Sequence, residues 1–295
     1  MASATPQGLL LVDKPEGFTS FDVVALLRGV LHTKRIGHTG TLDPMATGVL
    51  PVLVGRATKL CELLPDSEKS YTVTFALGYT TDTLDRTGEV LTRRTVTAGE
   101  RELRALLPSF LGTQQQIPPM YSAIRQNGVR LYDLARNGQT VERQPREITI
   151  HELSLLSCNE EAGEYTLSVR CSKGTYIRSL CADLGEKLGC GATVTALRRT
   201  VANGFGIERC HTLEELKILG SAALLPTAAA LASYEAIRVT AAQAKRFSNG
   251  GALALDRIPF PAQPTRFLRV CAPDGTMLGL GRPEDGELTL QCLLI

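Results

Sequence analysis

Residues 71–79 alternate strictly: Tyr71, Val73, Phe75, Leu77 and Tyr79 fall on one side, Thr72, Thr74, Ala76 and Gly78 on the other. Side chains of a strand point alternately to its two faces, so this pattern predicts a strand with one buried and one wetter face. Tyr165, Leu167, Val169 and Cys171 repeat it. Shorter apolar runs at Gly8 to Val12 and 49–54 read as buried strands. Helical spacing interrupts the strands. Ser20 is placed to cap a helix carrying Val23, Val24, Leu27, Val30 and Leu31. Thr97 and Glu100 have capping-box spacing ahead of Leu103, Leu106 and Leu107. Ile177, Leu180, Cys181, Leu184 and Leu188 form a helical face after Ser172-Lys173-Gly174, stopped by Gly189. Strands and helices mix without regular βαβ alternation, which predicts an α+β body.

The texture changes near residue 235. An Ala- and Leu-rich connector over 205–234 reads as helical. A short helix from Thr240 to Ser248, ended by Asn249-Gly250-Gly251, then leads into short strands separated by Pro-Asp-Gly and Glu-Asp-Gly turns. The expected organisation is a catalytic body over 1–234 and a small β-rich module over 235–295. A length of 295 residues suits that division.

No apolar run approaches the ~18 residues of a membrane span, and the stretch Met-Ala-Ser-Ala-Thr-Pro-Gln lacks a secretory pattern. A cytoplasmic protein is the expectation. No two of the eight Cys stand in CxxC spacing, and the four His form no metal-binding pattern, so no metal site is expected. Scattered thiols of this kind are expected to be free and buried. Lys plus Arg is 32 against 30 acids, a net charge of +2. The local balance is uneven: −4 over residues 62–89, +3 over 117–146 and +4 over 170–209. Two basic stretches on a nearly neutral chain suit a polyanion surface as well as solvated charged faces.

The densest segment is Gly37-His38-Thr39-Gly40-Thr41-Leu42-Asp43-Pro44-Met45-Ala46-Thr47-Gly48. Pro44 forces Asp43 toward an extended backbone. A turn needs the glycines and the proline but not His and Asp together, so both a catalytic loop and a structural turn stay open. No Walker A loop or GxSxG elbow occurs. Asp82 and Asp85 lack EF-hand spacing and read as a solvated loop.

This segment resembles the catalytic loop of the TruB family of pseudouridine synthases. The resemblance continues through Asp13-Lys14-Pro15-Glu16-Gly17-Phe18-Thr19-Ser20, Lys69-Ser70-Tyr71 with Thr81-Asp82-Thr83, and Pro118-Pro119-Met120-Tyr121-Ser122-Ala123. It ends with Cys171-Ser172-Lys173-Gly174-Thr175-Tyr176-Ile177-Arg178 and Leu197-Arg198-Arg199. Together these cover roughly residues 8–210, in the family's order.

The resemblance implies a mixed, mainly antiparallel sheet flanked by helices, with an RNA-gripping insertion at about 117–146 and a C-terminal module of the PUA-like kind. It implies cofactor-free isomerisation of uridine to pseudouridine in the T-loop of tRNA, at position 55, with the base flipped out of the loop. Asp43 matches the essential aspartate, which can attack a carbon, stabilise a cationic sugar or act through a glycal. Arg178 matches the arginine that pairs with it and would favour its charged form. His38, Tyr71, Tyr176 and Leu197 match substrate-binding positions: His38 enters the RNA loop, Tyr71 stacks on the base, and the other two line the pocket. Lys14 and Lys59 are candidates for support or phosphate contact, and Arg125 and Arg130 for RNA contact within the insertion. The C-terminal module is expected to touch the acceptor-side helix. tRNA is the expected partner, to a monomer without an obligate protein partner. An RNA-binding or tRNA-folding protein, a guide-RNA-dependent relative and a carboxylate hydrolase are the competing readings.

Overall fold

The computed structural model describes residues 6–65 and 68–295. Residues 1–5, within the stretch read for a secretory pattern, and Asp66, counted in the acidic segment, lie outside the described residues. The strands of the body are β1 (Gly8–Lys14), β2 (Ile36–His38), β3 (Thr47–Val54), β4 (Lys69–Leu77), β5 (Tyr79–Thr81), β6 (Val90–Arg93), β7 (Gly112–Gln116), β8 (Arg125–Gln126), β9 (Val129–Arg130), β10 (Arg146–Asn159), β11 (Glu164–Cys171), β12 (Ala192–Ala202) and β13 (Phe205–Gly206). The helices are α1 (Ser20–Val30), α2 (Glu100–Leu106), α3 (Leu131–Arg136), α4 (Ile177–Lys187), α5 (Leu213–Leu219) and α6 (Ala241–Ser248).

The central sheet runs β1-β3-β12-β4-β11-β10-β7, with β2 against β3 and β13 against β12. The β3–β12 pair is parallel, through Arg198–Thr47 and Arg199–Gly48; the other pairs are antiparallel. The fold is therefore α+β with a mixed, mainly antiparallel sheet. The alternating strand β4 lies between β12 and β11, and its Tyr71, Val73, Phe75 and Leu77 point into the main core. Helix α4 lays Ile177, Leu180, Cys181 and Leu184 into that core. On the wetter face the hydroxyls of Thr74 and Thr166 meet at 3.0 Å across the strands.

From Ala236 the chain builds a second sheet of β14 (Ala236–Arg238), β15 (Leu253–Ala254), β16 (Leu268–Cys271), β17 (Met277–Glu284) and β18 (Glu287–Leu293), in the order β14-β16-β17-β18-β15. Its own core holds Phe247, Leu268, Val270 and Leu288. A further cluster joins Leu9, Leu11 and Leu53 of the body to Phe267, Leu280, Cys292 and Leu294, so the second sheet shares buried apolar surface with β1 and β3.

Three local expectations change. Thr19, not Ser20, caps α1: its hydroxyl accepts from Asp22 N at 3.0 Å while Asp22 accepts from Thr19 N at 2.8 Å. Gly99, not Thr97, caps α2, with Glu102 accepting from Gly99 N at 3.0 Å. The 205–234 connector holds one short helix, α5, and several 3-10 turns, because Gly206, Gly220 and Pro226 punctuate it. The eight cysteines are all free. Among the described residues no helix is long and apolar enough to cross a membrane, and no three His, Cys, Asp or Glu side chains gather as metal ligands.

Candidate active site

The loop between β2 and β3 carries Asp43, and nearly every residue around it is tied down. Thr39 Oγ1 meets Asn203 Oδ1 at 2.6 Å, and Thr39 N donates to Pro51 O at 3.1 Å. Ser20 is buried, accepts from Leu42 N at 2.9 Å and donates to Leu42 O at 3.2 Å. Ala46 N donates to Asp43 O at 3.0 Å, and Gly17 N to Pro44 O at 2.9 Å. The Lys14 ammonium is fully buried and donates to the carbonyls of Pro15 (2.8 Å), Phe18 (2.6 Å) and Pro44 (3.3 Å). Of the two readings of Lys14, support or phosphate contact, this geometry suits support: three carbonyls occupy the amine, and burial lowers its pKa to about 8.

Arg199 supplies the other half of the clamp. It is 1% exposed and donates from Nε to Val49 O at 2.7 Å and from Nη2 to Gly40 O at 3.1 Å, with Nη1 3.5 Å from Thr41 O. The strand approach beneath it requires glycine at position 48. There φ is +102°, and an added Cβ would lie 2.1 Å from Arg199 O.

Arg178, in the first turn of α4, is 4% exposed. Its Nε lies 2.8 Å from Asp43 Oδ2. Nη1 donates to Thr83 O at 2.6 Å and lies 3.5 Å from Asp85 Oδ2, while Nη2 donates to Tyr121 O at 2.7 Å. A cation at a helix N-terminus opposes the helix dipole; two carboxylates and two carbonyls hold it there. Asp85 is buried, which corrects the solvated-loop reading. Its Oδ1 accepts from Thr83 Oγ1 (2.9 Å), Thr87 N (3.0 Å) and Thr87 Oγ1 (2.6 Å). Asp82 accepts from Glu89 N at 2.8 Å and from Tyr121 Oη at 3.0 Å. The 82–89 loop is therefore folded onto the site and bolted to the base of the 117–146 insertion.

These groups surround a cavity of about 240 Å³ lined by Asp43, Lys69, Tyr71, Tyr176, Arg178 and Leu197 among others. That is below the roughly 300–1,000 Å³ typical of drug-sized ligands and suits one planar ring. Asp43 keeps about a third of its side chain (34%) open to solvent, at the cavity wall. Burial raises its carboxyl pKa, Arg178 opposes the shift, and Asp85 adds to it. Arg178 favours the charged form and orients the acid, as its pairing implies, while burial is the larger influence and leaves the carboxyl more basic than an exposed aspartate. Tyr71 is 7% exposed, and the Arg199 guanidinium is close enough to act on its hydroxyl. Tyr176 precedes α4, and its backbone is gripped by the Gln116 amide at 2.8 and 3.0 Å. His38 ends β2 and is not one of the cavity walls. Its Nδ1 is buried without a partner, and burial followed by Arg199 lowers its pKa.

The structure separates the remaining candidates from this cluster. Lys59 is exposed and donates to Leu293 O at 3.3 Å, beside the second sheet. Arg125 and Arg130 are exposed cross-strand partners in the β8–β9 hairpin of the insertion. The +4 balance of 170–209 overstated the free cations. Arg178 and Arg199 are buried, Arg170 pairs with Glu68 and Glu152, and Arg198 pairs with Asp13 at 2.7 Å. Asp85, Ser20 and Arg199 are the site-building residues that sequence reasoning did not single out.

Residues 28–177 match the model of the TruB family pseudouridylate synthase N-terminal domain, and residues 178–227 that of the tRNA pseudouridylate synthase B C-terminal domain. The chain is 44% identical to the tRNA pseudouridine synthase B of Pseudomonas syringae pv. syringae (strain B728a), over 97% of this chain and 95% of that one. It is 41% identical to the protein of that name from Burkholderia mallei (strain NCTC 10247), over 100% and 99%. Among solved structures, an H/ACA RNP bound to a substrate RNA containing 2'-deoxyuridine shares the fold. Its TM-score is 0.75 at 21% identity, covering 99% of this chain and 86% of that one. A Cbf5-Nop10-Gar1 complex gives 0.75 at 23% identity, covering 98% and 85%. The chain belongs to the TruB family of pseudouridine synthases.

Proposed function

We propose that this protein isomerises uridine to pseudouridine in tRNA, at position 55 of the T-loop. The observation that carries the reading is the Arg178–Asp43 pair at 2.8 Å in the wall of a one-ring cavity beside Tyr71. The isomerisation breaks the N1–C1′ bond and forms a C5–C1′ bond. The C5 proton leaves and N1 gains a proton, so no redox partner or group donor enters the balance. Arg178 holds Oδ2 of Asp43, which leaves Oδ1 for the ribose. A carboxylate made more basic by burial serves as nucleophile or base better than an exposed one. Tyr71 and Leu197 are placed to hold the ring while it turns, and Tyr176 to close the wall. The cavity admits one base, so the uridine must leave its stack to enter. His38, at the loop margin, is suited to the space it vacates.

The exposed, like-charged Arg125–Arg130 pair supports an RNA-gripping role for the insertion. Two cations directly opposite on a hairpin repel unless an anion joins them. We assign residues 1–234 to catalysis and 235–295 to a PUA-like module for the acceptor-side helix. We further propose that the protein acts as a monomer on tRNA in the cytoplasm, without a guide RNA or cofactor. Incubating purified protein with an unmodified, guide-free tRNA transcript, then mapping pseudouridine by carbodiimide labelling and primer extension, tests this. A single stop at position 55 is expected. Stops elsewhere, or none with bound tRNA, would overturn the assignment.

A further inference from the structure

Lys69 opens β4, two residues before Tyr71, so the two side chains leave the same face of the strand. Both line the cavity with Asp43. The Lys69 ammonium packs over Gly40, where an added Cβ would lie 3.3 Å from Nζ. Its electrostatic surroundings are unusual for a half-buried cation. Among the described residues the charged side chain closest in effect is the Arg199 guanidinium, which is positive, and the titratable group nearby is the Cys171 thiol. That thiol is itself pushed up to about 11 by burial, so it supplies no negative charge near neutrality. Among the described residues no carboxylate pairs with Nζ. Other site cations are answered: Arg178 by two acids, and Lys14 by three carbonyls with Asp43 close by. Burial and the nearby guanidinium lower the Lys69 amine to about 8, as expected for a cation held among cations. Gly174, another lining residue, sits at φ +85° with nothing within 4 Å of its would-be Cβ, so there is open space beside it.

We propose that Lys69 is a substrate-positioning residue that binds a phosphodiester adjoining the flipped uridine at the cavity mouth. The proposal rests on the reading of this site as a tRNA pseudouridine synthase and names what that site grips besides the base. A neutral uracil would leave the Lys69 ammonium without an anionic partner, whereas a phosphodiester supplies one full negative charge.

The test is a cycle on a T-arm hairpin RNA, with a methylphosphonate replacing the phosphodiester on either side of the target uridine. Binding is measured for the wild type, Lys69→Met and Lys69→Arg. Lys69→Met should weaken binding roughly ten- to a hundredfold and cut the salt slope by about one, and Lys69→Arg should restore most of the loss. One of the two methylphosphonates should weaken the wild type similarly and Lys69→Met no further. Because that modification is read on the wild-type protein, the result does not hinge on a variant folding. Wild-type-like binding by Lys69→Met, losses that multiply for both linkages, or slower turnover with unchanged binding would each overturn the proposal. Wild-type protein that binds and shows the cycle but forms no pseudouridine would overturn the enzymatic reading alone.

Discussion

Replacing Asp85 by asparagine changes one atom's chemistry at the heart of the site. The amide oxygen can keep the contacts that Oδ1 now makes with Thr83 Oγ1, Thr87 N and Thr87 Oγ1. The amide nitrogen then faces Arg178 Nη1 across 3.5 Å, donor against donor. At that separation a charge pair is worth about 5 kcal/mol at an effective dielectric near ~20. Most of the hold on the guanidinium survives through Asp43 Oδ2, Thr83 O and Tyr121 O. A loss of about 2 kcal/mol in the reacting geometry is a reasonable share, which is about thirtyfold in single-turnover rate. Asp85 is 5% exposed, so tRNA affinity should stay within about twofold of wild type. The assay is the single-turnover rate at saturating enzyme, with filter binding alongside. A rate within twofold of wild type would show that Asp85 does not position Arg178, as would equal losses in rate and binding.

Other outcomes follow from the same contacts. Turnover should rise with pH through the ionisation of Asp43, at a pH above that of an exposed aspartate, because burial raises its carboxyl pKa and the neutral form persists on the acid side; a pH–rate profile of the chemical step reads this. The same shift means that folding disfavours the charged form of Asp43, so Asp43→Asn should lose turnover without losing thermal stability at neutral pH. Lys14→Met should cost roughly 2–4 kcal/mol of stability, since it strips the carbonyls of Pro15 and Phe18 of their donor and leaves Pro44 O only the Gly17 amide; urea melts give the figure. Gly48→Ala should destabilise by about 3 kcal/mol or more, because the new Cβ would lie 2.1 Å from the Arg199 carbonyl. Gln at both Arg125 and Arg130 should reduce the salt slope of tRNA binding by about two.

Much of this was legible in the chain before its structure. The alternation at 71–79 is a local signal, and it located the central strand β4. Asp43, Arg178, Tyr71, Tyr176 and Leu197 converge on one cavity as the family pattern implied. What escaped was decided by distant partners. The burial of Asp85 depends on Arg178, about ninety positions away, and on its bridge to Val194. Lys14 precedes a proline in a polar loop, and only the folded chain brings the Pro44 carbonyl to its amine. The hydroxyl of Ser20 suits a cap, but the neighbouring Thr19, with Asp22 three residues on, had the fuller capping signal and took that place. Ser20 instead fixes Leu42, next to the reacting aspartate. The net charge of 170–209 misled because a count cannot tell a solvated arginine from one buried as a clamp.

Asp43, positioned by Arg178, is proposed to carry out the isomerisation. The direct measurement is release of tritium from an unmodified tRNA transcript labelled at uracil C5, in chelator-containing buffer, with the wild type and Asp43→Asn side by side. About one equivalent of tritium per tRNA is expected from the wild type and none from the variant, which still binds the tRNA. Release by Asp43→Asn, or none from a folded wild type that binds tRNA, would contradict that role.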